Sequence, residues 1–271
     1  MALKDLLKEK LTKEELSLLP KSFDIIGNRE KAVAIIDLDE KIMEKKEIAR
    51  ALMKQHKNVK SVLLKKSPRK GTHRINEYEL LSGEKNTEVL HIEHGLKYKI
   101  DPVSTYFSPR EGTERERILK FIKKDQNVMV FFAGAGPLAI IISKKTQAKN
   151  IVGIEINPKA VDYFIENVNL NKIKNITIIE SDVKKLNLDP DYDHVFMPLP
   201  ESAFSYLSEA MKCLKPKGII HLYCFSLENK IEEMKKEIEK NAEGKVKFLE
   251  IQKVLPYGPG IWKYRISFQF S

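Results

Sequence analysis

Three short stretches place chemistry-bearing residues at the ends of apolar runs. Phe132-Ala133-Gly134-Ala135-Gly136-Pro137 follows the run Val128 to Phe132 and opens a helical pattern. Gly134 and Gly136 there allow a ligand close to the backbone at a helix N-terminus. Glu155 closes the next apolar run about twenty residues on, a position from which a carboxylate accepts hydrogen bonds from both hydroxyls of a ribose. The third run ends in Ser181-Asp182, placed to meet an adenine amino group. A glycine turn, a ribose acid and an adenine acid at three successive strand ends describe a nucleoside-cofactor site. Dinucleotides and S-adenosyl-L-methionine share this logic, and spacing alone separates them poorly. The plain alternative is an α/β sheet with acidic strand ends and no ligand.

Positive charge is the second signal. Lys and Arg number 48 against 38 Asp and Glu, a net charge of +10 over 271 residues. Such an excess attracts polyanions, because cations that meet phosphates release counterions. Lys65-Lys66-Ser67-Pro68-Arg69-Lys70-Gly71 concentrates that charge where Pro and Gly keep the chain irregular, so Lys65, Lys66, Arg69 and Lys70 are expected to follow an RNA backbone. A merely solvated basic loop is the alternative. Cys213 and Cys224 lack the paired spacing of a zinc site and read as core thiols, and the six histidines form no metal-ligand pattern, so no metal is expected. No apolar run reaches the length of a membrane span, and the N-terminus is amphipathic from Leu3 on without a secretory pattern. The expectation is a cytoplasmic monomer without membrane contact.

These residues need elements to hold them. Leu3, Leu6, Leu7, Leu11 and Leu16 predict a helical arm over residues 1–22, closed by Pro20. A small α+β domain over 23–112 is expected from strand, helix and strand at Val33 to Ile36, Lys41 to Gln55 and Ser61 to Leu64, then short strands at Tyr78, Glu88 and Leu96. Thr113 is a candidate N-cap for a helix through Glu114 to Lys120. From Val128 strands alternate with helices as far as Asn241, and repeated βαβ units mean a doubly wound, mostly parallel sheet over 113–271, with two last strands at Lys245 to Val254 and Trp262 to Phe270.

The fourth strand carries Met197-Pro198-Leu199-Pro200 and then Glu201-Ser202-Ala203. With Arg74 before Tyr78-Glu79-Leu80-Leu81, Tyr106-Phe107-Ser108-Pro109-Arg110, Thr113-Glu114-Arg115-Glu116-Arg117, the glycine turn, Glu155-Ile156-Asn157-Pro158 and Asn167 to Lys172, the chain resembles the archaeal and eukaryotic tRNA (guanosine-37 N1)-methyltransferase family and its wyosine-pathway relatives. The resemblance covers about Arg74 to Trp262. It implies a Rossmann-like class I methyltransferase fold, S-adenosyl-L-methionine as cofactor and the anticodon stem-loop of tRNA as partner. Glu114 matches the base that removes the N1 proton, and Arg74 the cation that meets charge on O6. Tyr106, Arg115, Phe132, Asn157 and Pro200 join Gly134, Gly136, Glu155 and Asp182 as expected cofactor-site residues, while Arg110 is expected to touch RNA phosphate or hold its loop.

Two positions depart from the family pattern. Pro198 stands where its methyltransferases carry Asn, and Val130 where an acid usually stands. The chain is also expected to lack the separate N-terminal domain that many of them carry, and in this it resembles the aminocarboxypropyl-transferring relatives. Methyl transfer to N1 of guanosine 37, with the tricyclic intermediate 4-demethylwyosine as a further acceptor, is the expected reaction. Aminocarboxypropyl transfer and a non-catalytic RNA-binding module are the alternatives.

Overall fold

The computed structural model describes residues 3–66, 76–242 and 245–270. The chain forms two compact units, Met1–Arg110 and Glu111–Ser271.

In the first unit α1 (Leu3–Leu7) and α2 (Lys13–Leu18) precede β1 (Asp24–Gly27), β2 (Ala32–Ile36), α3 (Lys45–Gln55), β3 (Val59–Lys65) and β4 (Tyr78–Gly83). The four strands form one sheet in the order β1-β2-β3-β4, with β2 and β3 parallel on either side of the α3 crossover. β5 (Val89–Glu93) and β6 (Leu96–Ile100) make a separate hairpin whose two turn residues, His94 and Gly95, both have positive φ. The expected single N-terminal helix is two, because Thr12-Lys13-Glu14-Glu15 is a capping box: Thr12 Oγ1 accepts from Glu15 N, and Glu15 Oε2 accepts from Thr12 N. The helical arm packs on the rest of the unit. Leu7, Leu11 and Leu19 are buried in the same core as Ile36, Ile48, Leu52 and Val62.

The second unit starts with α4 (Gly112–Arg117) and a 3-10 turn, Ile118–Phe121. Thr113 lies inside α4, whose N-cap is Glu111 and carries no side-chain capping bond. Then come β7 (Asn127–Phe131), α5 (Pro137–Lys145), β8 (Asn150–Glu155), α6 (Pro158–Leu170), β9 (Ile176–Glu180), β10 (Tyr192–Met197), α7 (Leu207–Lys212), β11 (Leu214–Leu227), α8 (Ile231–Asn241), β12 (Val246–Gly258) and β13 (Ile261–Phe270). Between β10 and α7 the chain makes a 3-10 turn, Ala203–Tyr206, which runs directly into α7.

Sheet order is β12-β13-β11-β10-β7-β8-β9. The five strands from β9 to β11 are parallel; β13 runs antiparallel to β11, and β12, paired antiparallel to β13 at the edge, points the same way as the five. All five residues of β7 are buried, as a central parallel strand covered on both faces requires. Alternation then sorts the next strands. Val195, Met197, Ile220, Leu222, Cys224, Ile266 and Phe268 form one face with Leu207, Ala210 and Ile238 of α7 and α8. His194, Phe196, His221, Tyr223, Arg265 and Ser267 occupy the intervening positions and so the other face. Both cysteines are free and buried, and burial pushes each thiol up to about 12.

Candidate active site

An open parallel sheet binds ligands outside the carboxyl ends of its strands, where the strand order reverses. Here that point lies between β7 and β10. β7 leads into a loop in which Phe132, Gly134 and Gly136 have φ of 54°, 56° and 83°. A left-handed φ is costly for a side chain as large as Phe132. Its ring is fixed edge-on against Tyr206 at 4.8 Å. A Cβ on Gly136 would fall 2.0 Å from Cδ2 of Phe164, so this glycine is required by the seating of α5 against α6, a reason the spacing did not reveal. Asn167, fully buried on α6, donates from Nδ2 to the carbonyl of Ala135 at 3.1 Å and holds the loop from its other side.

Glu155 organises the same loop. Its Oε2 accepts from Gly134 N at 2.7 Å, and its Oε1 accepts from Ile156 N at 2.9 Å and Asn157 N at 2.8 Å. The carboxylate is thereby oriented at the end of β8, tied by backbone to the glycine turn. Asn157 caps α6, accepting from Lys159 N at 3.1 Å, and Asp182 accepts from Lys184 N at 3.0 Å just beyond β9. Six of the expected cofactor residues, Phe132, Gly134, Gly136, Glu155, Asn157 and Asp182, thus stand at the ends of three adjacent strands; Pro200 is buried after β10. Two carboxylates and a glycine turn at these ends fit the acceptor needs of an adenosine.

Glu114 occupies a different setting. It is 4% exposed, and Oε1 accepts from Arg265 Nε at 2.6 Å and from the Tyr223 hydroxyl at 3.2 Å, while Oε2 accepts from Arg117 Nη1 at 2.6 Å. Arg265, wholly buried, also donates to Glu250 Oε2 at 2.8 Å and to Ser267 Oγ. Lys120 reaches the other oxygen of Glu250 at 2.5 Å, and Lys263 pairs with Glu111 at 2.8 Å. Burial pushes the Tyr223 phenol well above its ordinary range, and the Glu114 charge adds to that. Desolvation would raise the Glu250 carboxyl, but hydrogen bonds from Lys120 and Arg265 prevail and hold it below the usual value.

The network continues past Ser267. Its hydroxyl lies 2.9 Å from His221 Nδ1, His221 Nε2 lies 3.1 Å from His194 Nδ1, and His194 Nε2 lies 3.1 Å from Gln126 Oε1. One direction satisfies every atom: Arg265 donates to Ser267, Ser267 to His221, His221 to His194 and His194 to Gln126, with both rings neutral. Burial accordingly drives His194 down to about 4 and His221 well below its ordinary value. Sequence reasoning missed Arg265, Tyr223, Arg117 and this histidine pair. The Lys263, Arg265, Ser267 alternation looks like the solvent face of an edge strand, and only the cover of α4 and Phe121, whose ring lies 4.9 Å from the Arg265 guanidinium, buries it.

Of the remaining sequence-predicted residues, Arg115 is buried on α4. Tyr106, 39% exposed, belongs to the first unit. Arg110 donates to Asp24 at 2.5 Å and to Ser22 at 3.4 Å, which anchors its loop. Lys65 ends β3, and Lys66 pairs with Glu79 at 3.2 Å on the surface. Arg69, Lys70 and Arg74 lie outside the described residues. Among the described residues no group of three His, Cys, Asp or Glu is placed to hold a metal ion, and no helix is long and apolar enough to cross a membrane.

A doubly wound sheet with a glycine loop and two carboxylates at successive strand ends, preceded by a small α+β unit, is the architecture of the Rossmann-like class I methyltransferases. Residues 89–249 match the TRM5/TYW2 methyltransferase domain, and residues 3–87 match the TYW2 N-terminal domain. The chain belongs to the TRM5/TYW2 family. It is 40% identical over 211 residues to the tRNA (guanine(37)-N(1))-methyltransferase Trm5b of Pyrococcus abyssi, which covers 78% of this chain and 62% of that protein. It is 31% identical over 240 residues to a tRNA(Phe) (4-demethylwyosine(37)-C(7)) aminocarboxypropyltransferase of Methanocaldococcus jannaschii, covering 85% of this chain and 95% of that one. The crystal structure of Trm5b from Pyrococcus abyssi superposes with a TM-score of 0.86 at 36% identity, covering 96% of this chain and 78% of that chain. That of P. horikoshii TYW2 in complex with MeSAdo does so at 0.80 and 28%, covering 98% and 97%. The sequence match therefore spans less than two thirds of the Trm5b length and almost all of the aminocarboxypropyltransferase length.

Proposed function

We propose that the chain is a tRNA-modifying enzyme that transfers the methyl group of S-adenosyl-L-methionine to N1 of guanosine 37 and also accepts 4-demethylwyosine at that position. The 40% identity with a protein named for the guanosine reaction carries this reading. Phe132, Gly134, Gly136, Glu155, Asn157, Asp182 and Pro200 are the residues assigned to the cofactor, together with Arg115; Tyr106 is assigned to it on the family match alone. When bound, the cofactor supplies an electrophilic methyl on a sulfonium. Glu114 is assigned the proton that N1 would give up as it takes that methyl.

The network around Glu114 constrains where that proton lands. Tyr223 and Arg265 are buried and occupy Oε1, whereas the Arg117 side chain on Oε2 is 30% exposed. Oε2, whose partner is the more exposed one, is therefore the oxygen assigned to the proton. Arg74 is assigned the charge that develops on O6. Pro198 offers neither an amide side chain nor a backbone donor to the guanine edge. Lys65, Lys66, Arg69 and Lys70 are assigned to the phosphates of the anticodon stem-loop, with Arg110 holding its own loop.

Aminocarboxypropyl transfer is the second reading, and two observations favour it: the TYW2 N-terminal domain match over residues 3–87 and the near-complete coverage of an aminocarboxypropyltransferase. Both reactions start from one sulfonium, and the arm aimed at the nucleophile selects between them. Anticodon-arm RNA carrying guanosine or 4-demethylwyosine, incubated with cofactor, separates them by the mass added to the nucleoside. The expected gain is one methyl on either substrate. Gain of the larger group would overturn the preferred reading.

A further inference from the structure

β11 outruns its parallel neighbour. The last residue of β10, Met197, stands opposite Leu222, and β11 continues to Leu227 with only β13 beside it. Along this extension Tyr223 and Phe225 share one face, about 7 Å apart, and Tyr223 is the residue bonded to Glu114. Phe225 carries Tyr257 of β12 on its ring, with centroids 3.8 Å apart and planes at 25°. Yet Tyr257 is 56% exposed. One ring face is seated and the other is open.

The local backbone accounts for this placement. The β12–β13 register shifts between Pro256 and Gly258, so Tyr257 sits at an irregularity, the device that re-aims a side chain at a sheet edge. In the strand order this site lies on the β10–β11–β13 side of the reversal, with Glu114's partners, and away from β8 and β9, which carry Glu155 and Asp182. A planar ligand that arrives with the group presented to Glu114, on a chain carrying a net charge of +10, is an unpaired base of a polyanion.

We propose that Tyr257, stacked on Phe225, is a platform for an unpaired RNA base next to the one presented to Glu114. This rests on the RNA-modifying reading. Because Phe225 already fixes the Tyr257 ring, stacking a base on its open face requires little further ordering of the side chain.

The test uses the full chain and anticodon-arm RNA with 2-aminopurine on one side or the other of the target base. Binding to the unaltered protein should change 2-aminopurine emission at one of the two positions. Tyr257→Ala should abolish that change and weaken binding about tenfold. Its salt dependence should match the unaltered protein, since no phosphate contact is lost. Tyr257→Phe should restore both, because it keeps the ring and removes only the hydroxyl. An unchanged thermal midpoint in Tyr257→Ala confirms that the fold is intact. Binding and emission in Tyr257→Ala equal to the unaltered protein would overturn the platform, as would a Tyr257→Phe variant as impaired as Tyr257→Ala. Failure of the unaltered protein to bind the RNA at all would instead overturn the RNA reading.

Discussion

At the scale of single residues, the two carboxylates that matter most are held in opposite ways. Glu155 is fixed by three backbone N–H groups at a strand end, so its place follows from local chain geometry. Glu155→Ala should abolish measurable S-adenosylmethionine binding in calorimetry, whereas Glu155→Gln, which keeps one acceptor oxygen, should retain part of it. Equal affinity in the alanine variant would remove Glu155 from the site. Glu114 is fixed by side chains from distant strands. Glu114→Ala leaves the fully buried Arg265 with half of its carboxylate partners, and removing one member of a buried pair costs about 3 to 5 kcal/mol. Urea denaturation should show that loss in Glu114→Ala and a smaller one in Glu114→Gln, while methyl transfer collapses in both. A gain of stability in Glu114→Ala would mark the pair as strained.

At the scale of elements, the glycine turn was legible as a turn but not in full. Strand, two glycines and proline opening a helix were enough to place it. That Gly136 serves the contact of α5 with α6 depends on Phe164, twenty-eight positions later, whose ring fills the space where a Cβ would stand. Gly136→Ala combines that clash with a φ of 83° and should lower the thermal midpoint severely, and Phe164→Leu in the same chain should recover part of the loss. Full stability of Gly136→Ala alone would refute the packing argument. The N-terminal helix break at Thr12 was readable from the Thr-x-x-Glu spacing, and leucine periodicity across it masked the signal. α4 ends after Arg117 and tightens into a 3-10 turn, and that turn places Phe121 over Arg265.

For the whole molecule, the buried histidine pair predicts a direction of pH dependence. The folded state holds His194 at about 4 against an ordinary 6.5, and His221 shifts the same way, both chiefly by burial. Between those values the unfolded chain binds more protons than the folded one. Stability is therefore full above about pH 6.5 and is lost as pH falls toward 4, by about 3 kcal/mol from His194 alone. Denaturation midpoints measured from neutral pH down to about pH 5 should fall, and His194→Gln should flatten the fall. An equal slope in the variant would assign the acid sensitivity to other groups.

The order of elements, the parallel sheet and the positions of Gly134, Glu155 and Asp182 at strand ends were determined by the sequence itself. Apolar periodicity and turn residues act over a few positions, and a residue at the end of an apolar run sits at a sheet edge whatever the neighbouring strands do. The surroundings of Glu114 were decided by tertiary structure. Antiparallel pairing sets Tyr223 opposite Arg265 and His221 opposite Ser267, and β10 brings His194 alongside. Each polar residue alternates with apolar ones in its own strand, and alternation says which residues share a face but not what covers it. The cover, α4 and Phe121, lies about a hundred positions or more away in the chain from Tyr223 and Arg265. It turns an apparent solvent face into a desolvated one, where a single unpartnered charge is costly and every group has to find its partner.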